Sequence, residues 1–171
     1  MPMRRPLRDH AFKKDIMEIS DLLTTDAVIA NLHATSKKQA LQELAKRAAE
    51  LVGEHERVIF DVLLERERLG TTGVGGGVAI PHGKLPRLTR MVGVFARLEK
   101  PVDFESIDEQ PVDLIFMMLA PAGAGADHLK ALARVSRLLR DRKMCEKLRG
   151  SDTADALYAL LTEHAANSHA A

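Results

Sequence analysis

Eight consecutive residues, Val112 to Leu119 (VDLIFMML), constrain this chain more than any other stretch. Side chains alternate across a strand, so a run that is apolar on both faces leaves no side for water. Such a strand belongs in the middle of a sheet with helices covering it above and below. Met91 to Leu98 (MVGVFARL) reads as a second strong strand, and shorter β-type runs cover Asp26 to Leu32 and Val78 to Ile80.

Helical patterns fill the intervals. Ser36 opens one helix, and Gln39 three residues on completes a capping box. Leu41, Leu44, Ala45, Ala48, Leu51 and Val52 keep a helical spacing up to Gly53, a natural stop. A second helix has Val58, Ile59, Val62 and Leu63 as its expected inward stripe and ends at Gly70. Its residues Glu65 to Arg68 are expected on the outside, with Glu67 solvated. Asp127 is placed to cap a third helix, whose expected buried face is Leu129, Leu132, Val135 and Leu139 with Ala133 at its margin. Further helical stretches run around Lys143 to Leu148 and Thr153 to Leu161. Strands and helices interleave without a repeat or a linker. The fold class that follows is α/β: a single three-layer α/β/α domain with a central mixed β-sheet. That domain spans residues 19–163. Residues 1–18, with Arg4, Arg5, Arg8, Lys13 and Lys14, read as a flexible basic tail, and residues 164–171 as a flexible C-terminal tail.

Charge and composition exclude several classes. The 25 Lys and Arg nearly balance the 24 Asp and Glu, so no broad field favours nucleic acid or an anionic membrane. Aromatic content is 4% with no Trp, which leaves little for stacking bases. The single cysteine, Cys145, cannot form a disulfide within the chain, in keeping with a reducing cytoplasm. No run reaches the roughly 18 apolar residues of a membrane span, and no apolar segment follows the basic N-terminus. A cytoplasmic protein with neither a nucleic-acid partner nor membrane insertion is expected.

The chemistry concentrates in GGGVAIPHGK, Gly75 to Lys84. It is not a Walker A loop, because Gly83-Lys84 is followed by Leu85 and Val78 stands where the first glycine should be. Counted from Gly73, a dinucleotide fingerprint fails at Val78 too. With no H-E-x-x-H and no cysteine pair, neither a metal nor a cofactor is expected. What remains is His82. A neutral imidazole nitrogen is a good nucleophile near pH 7, and on phosphorus it gives a reactive phosphoimidazole. Pro81 restricts the backbone on one side of the histidine. Gly83 removes a side chain where a second protein would approach. The glycines Gly75 to Gly77 permit positive φ.

GGGVAIPHG, preceded by LLERERLGTTG and followed by ADHLKALARVSRLLRD, resembles the enzyme IIA domains of the fructose/mannitol type. These are phosphocarriers of the bacterial phosphoenolpyruvate-dependent phosphotransferase system. The resemblance runs from about Ile19 to about Leu161 and implies the phosphotransferase/anion transporter-like fold for the type 2 IIA domain. Within the family the chain is most similar to the nitrogen-related branch, whose members regulate rather than serve a sugar permease. The resemblance makes His82 the phosphorylated residue, Arg66 the arginine that helps hold the phosphoryl group, and His128 the second histidine beside the first. A bidentate guanidinium and a helix-start position suit those roles. Thr71 and Thr72 either offer hydroxyls to the phosphoryl group or shape the turn. By the same resemblance the donor is the phosphohistidine of an HPr-like carrier, transfer runs from His to His, and no cofactor is needed. Regulatory targets such as potassium transporters and sensor kinases would then link the chain to nitrogen and carbon metabolism. Two other readings stand beside this one: a sugar-specific IIA component donating to a separate IIB subunit, and a binding module of the same fold without phosphotransfer.

Overall fold

A computed structural model describes residues 17–170, with side chains described to Glu163. Of the expected N-terminal tail, residues 1–16 lie outside the described residues. The chain opens with the short helix α1 (Ile19–Leu22), followed by a single 3-10 turn (Thr25–Ala27) that leads into strand β1 (Val28–Leu32). Helices α2 (Lys37–Val52) and α3 (Glu56–Arg68) follow, and then three short strands, β2 (Gly73–Gly75), β3 (Val78–Ala79) and β4 (His82–Leu85). Two long strands, β5 (Val92–Val102) and β6 (Val112–Pro121), precede helices α4 (Gly125–Arg140), α5 (Arg142–Arg149) and α6 (Ala154–Ala170). The sixth helix thus carries the backbone on to Ala170, through most of the stretch expected to be a tail.

The sheet is mixed, in the order β1-β5-β6-β3-β2. β5 and β6 are antiparallel, while β1 lies parallel to β5 and β3 parallel to β6. β6 is the centre. Every residue from Leu114 to Ala120 is buried, odd and even alike, so both faces of the strand are covered. Full burial of one such side chain contributes about 1.5–3 kcal/mol, which makes this strand the keel of the core. α2 and α3 pack on each other, and α4, α5 and α6 form a second group.

β3 and β4 follow one another along the same edge of β6. Val78 pairs with Leu114, and His82 pairs with Met118. The ladder along β6 carries on through Pro81: its carbonyl accepts the Met118 N–H at 2.9 Å, and pairing resumes at the next residue. His82 therefore opens a strand rather than lying beyond the end of one.

Local signals held in part. Ser36 caps α2, its Oγ accepting the Gln39 N–H at 3.1 Å, and Gly53 ends that helix at φ 73°. The Gln39 side chain reaches back one residue beyond the cap, to the N–H and hydroxyl of Thr35. Asp127 does not cap α4; the cap is Ala124, and Asp127 lies inside the first turn. Both stripes also turned from their expected setting. In α3 the buried residues are Ile59, Phe60, Leu63 and Glu67, with Val58 exposed. In α4 they are His128, Ala131, Val135, Leu138 and Leu139, while Leu129 is 69% exposed. A rotation of about one residue carries His128 to the inner face.

Candidate phosphoryl-acceptor site

The site starts from the backbone. Gly75, Gly76 and Gly77 all have positive φ, at 98°, 66° and 78°, a run that residues with a Cβ rarely adopt. This tight turn brings the chain back so that the Ile80 N–H donates to the Thr72 carbonyl at 3.0 Å. The Ile80 carbonyl then faces the ring of His82, 2.9 Å from Nδ1.

A carbonyl can only accept, so Nδ1 carries the ring proton. On the other side of the ring, the Arg66 Nε–H donates to Nε2 at 3.2 Å. A guanidinium can only donate, so Nε2 must present a lone pair. Two independent partners thus specify the same neutral tautomer. Burial holds the His82 pKa below its ordinary value; the Ile80 carbonyl opposes this, the Arg66 charge adds to it, and Glu67 pulls the other way. The ring is neutral at pH 7, with its lone-pair nitrogen Nε2 turned to a cation. Arg66 is itself steadied by a bond from Nη1 to the Gly70 carbonyl at 2.9 Å.

His128 completes the group. Its ring meets that of His82 edge-on, with centroids 5.5 Å apart and planes at 87°. It is only 6% exposed, and neither ring nitrogen has a hydrogen-bond partner among the described residues. An unsatisfied buried polar group costs about 1–3 kcal/mol. Burial lowers its pKa, helped by the neighbouring His82 and Lys84. A neutral imidazole can donate from one nitrogen and accept at the other, so this one is free to bond a group that joins His82.

The remaining expected residues fall differently. Thr71 donates its hydroxyl to the Phe104 carbonyl at 2.7 Å and accepts from the Gly73 N–H. The Thr72 hydroxyl is buried and donates to Glu67. Both hydroxyls shape the turn. Glu67 is not solvated: it is 8% exposed and points inward beneath that turn. Ile59, Leu63 and Glu67 stand at four-residue intervals, and this spacing was the signal that the expected stripe passed over. Gly83 is not an open landing point either. It is buried under α3, and a Cβ there would come 2.3 Å from Val62 Cγ1. The glycine lets helix and strand approach. Exposed apolar side chains stand instead at Leu69, 85% exposed and three residues after Arg66, and at Leu129, next to His128 in the chain.

Elsewhere, a pocket of about 690 Å³ includes Gly75, Gly76, Asp108, Arg140 and Arg149 in its lining. None of the expected site residues lines it, and Arg149 is engaged bidentately by Asp113 at 2.8 and 2.9 Å. Among the described residues no three His, Cys, Asp or Glu side chains converge as metal ligands. None of their helices is long and apolar enough to cross a membrane.

Comparison with known proteins identifies the family and the fold. Residues 21–164 match the family described as phosphoenolpyruvate-dependent sugar phosphotransferase system, EIIA 2. A nitrogen regulatory protein of Bradyrhizobium diazoefficiens is 63% identical over 145 residues, covering 85% of this chain and 95% of its own. The nitrogen regulatory protein of Escherichia coli is 40% identical over 148 residues, 86% of this chain and 91% of that one. Among solved structures, nitrogen regulatory protein IIA-Ntr from Neisseria meningitidis superposes with a TM-score of 0.80 at 32% identity, over 84% of this chain and 99% of that one. IIA mannitol from Escherichia coli, at 22% identity, shares the fold with a TM-score of 0.70, over 81% of this chain and 98% of its own.

Proposed function

The chain belongs to the EIIA 2 family of the phosphoenolpyruvate-dependent sugar phosphotransferase system, and from that premise we propose that Nε2 of His82 accepts a phosphoryl group from the phosphohistidine of an HPr-like carrier. The Nε2 lone pair attacks phosphorus in line. A new N–P bond forms as the donor's N–P bond breaks, and the electron pair of the broken bond returns to the donor nitrogen. The Nδ1 proton stays on the ring, where the Ile80 carbonyl stabilises the imidazolium character that develops. The Arg66 Nε–H, which holds the lone pair in the resting protein, moves to the phosphoryl oxygens and offsets their charge. Exchange between two imidazoles is nearly balanced in free energy, so the transfer is reversible.

The orphaned imidazole of His128 carries this reading. A buried side chain with two nitrogens unpartnered among the described residues, set edge-on to the His82 ring, is placed to bond a group that joins that ring. A phosphoryl oxygen on His82 supplies the partner. Thr71 and Thr72 serve the site by fixing the turn, and Gly83 by allowing α3 to sit close.

Function then lies in the balance between phosphorylated and free protein. About two negative charges would appear beside Arg66 and the exposed Leu69 and Leu129. That change suits a surface that selects partners by phosphorylation state, with regulatory targets such as potassium transporters and sensor kinases in the cytoplasm. The test is reconstitution with phosphoenolpyruvate, enzyme I and the HPr-like carrier. Wild-type protein takes up label, and His82→Ala takes up none; equal labelling of the variant would remove His82 from the role.

A further inference from the structure

We propose that Glu67 is a positioning residue for His82, acting through Thr72 and Ile80 to set which ring nitrogen is nucleophilic. The proposal deepens the phosphoryl-acceptor reading and rests on it for its consequence, though not for its geometry. Both Glu67 carboxyl oxygens lie 3.1 Å from the Thr72 N–H, and Oε1 also accepts from the Thr72 hydroxyl. The carbonyl of that same Thr72 accepts the Ile80 N–H at 3.0 Å. The Ile80 carbonyl in turn accepts the His82 Nδ1–H at 2.9 Å. Three hydrogen-bonded steps therefore lead from a buried carboxylate to the imidazole proton.

Lys37 steadies the start of this relay. Its Nζ lies 3.8 Å from Glu67 Oε1 and 4.8 Å from the centre of the Phe104 ring. The Phe104 carbonyl receives the Thr71 hydroxyl, so the turn is held from both sides. Arg66 and Glu67 are neighbours in the last turn of α3, and between them they address both nitrogens of one ring. Arg66 touches Nε2 directly, and Glu67 governs the partner of Nδ1 through two backbone groups. A loosened Thr72 releases Ile80, whose carbonyl then no longer faces Nδ1, and the Arg66 Nε–H alone is left to oppose the Nε2–H tautomer. In that tautomer the nucleophilic lone pair points into the protein.

A role confined to stabilising the turn would lower the melting temperature without changing the ring, so the tautomer is the deciding readout. Nitrogen-15 NMR of the unphosphorylated full-length chain reports it above the histidine's pKa. In the wild type His82 is a single Nδ1–H form. Glu67→Gln keeps the size of the side chain but sets an amide N–H₂ against the Thr72 donor. It is expected to give a mixture of tautomers and about a tenfold fall in the maximal transfer rate, with the KM for the phosphodonor little changed. Thr72→Val, which removes only the hydroxyl, should move both readouts the same way by a smaller amount, and Thr72→Ser should restore them. A folded Glu67→Gln protein with a pure Nδ1–H ring and an undiminished rate overturns the proposal. If Glu67→Gln does not fold, an unchanged Thr72→Val overturns it instead. Should wild-type protein fail to accept phosphate at all, the functional reading falls, while the tautomer measurement still decides the place of Glu67.

Discussion

At the scale of single residues, the candidate site turns on a ring whose proton position is fixed by its neighbours. Two partners of opposite kind, one a pure acceptor and one a pure donor, leave His82 a single neutral tautomer. Its depressed pKa follows first from burial. An NMR titration should place the His82 midpoint below 6.5. Arg66→Ala should move it upward, because the lost positive charge no longer disfavours protonation. A wild-type midpoint above 6.5, or a downward move in the variant, would contradict this electrostatic account. The same substitution should slow phosphoryl transfer on the order of 10²-fold by removing a charged donor at the transition state. Single-turnover kinetics at saturating carrier would read that effect.

Elements decide which residues reach the site, and here the sequence was legible only to a point. His82, Arg66 and His128 stood out through the motif and the resemblance, yet the settings of α3 and α4 did not. Leu129 and Val58 look like core by residue type alone. Both point outward, because the inner face is fixed by what the sheet requires, and α4 turns His128 inward in place of a leucine. Glu67 departs from expectation for the same reason: a carboxylate flanked by arginines looks solvated until its partner across the turn is known. Gly83 provides contact rather than the expected openness. Gly83→Ala should destabilise the protein by about 1–3 kcal/mol, since its Cβ overlaps Val62 Cγ1. Val62→Ala should recover most of that loss in a double-mutant cycle followed by urea unfolding. Simple additivity of the two variants would show that helix and strand do not press together there.

For the whole molecule, VDLIFMML foretold the fold class, because a strand buried on both faces has few homes in a domain of this size. The continuation of the ladder past Pro81 was not legible, since it depends on pairing with residues more than thirty positions away. That continuation seats His82 beside β6, the buried central strand of the sheet. Folding there keeps two imidazoles from charging, so stability depends on pH in a defined way. Both folded-state pKa values lie below 6.5. As pH falls through 6.5 the unfolded chain binds protons first, and stability declines until the folded-state values are passed. Through these two groups denaturant midpoints should fall as pH drops through 6.5, with a shallower decline in a His82→Gln, His128→Gln double variant. An equal slope in that variant would place the pH dependence elsewhere. Everything proposed for this molecule requires Nε2 of His82 to be the atom that bonds phosphorus. Phosphorus-31 and nitrogen-15 NMR of the phosphorylated, labelled protein measures it directly: a ³¹P–¹⁵N coupling to His82 Nε2 is the predicted result, and a coupling to Nδ1, or to any other residue, would contradict it.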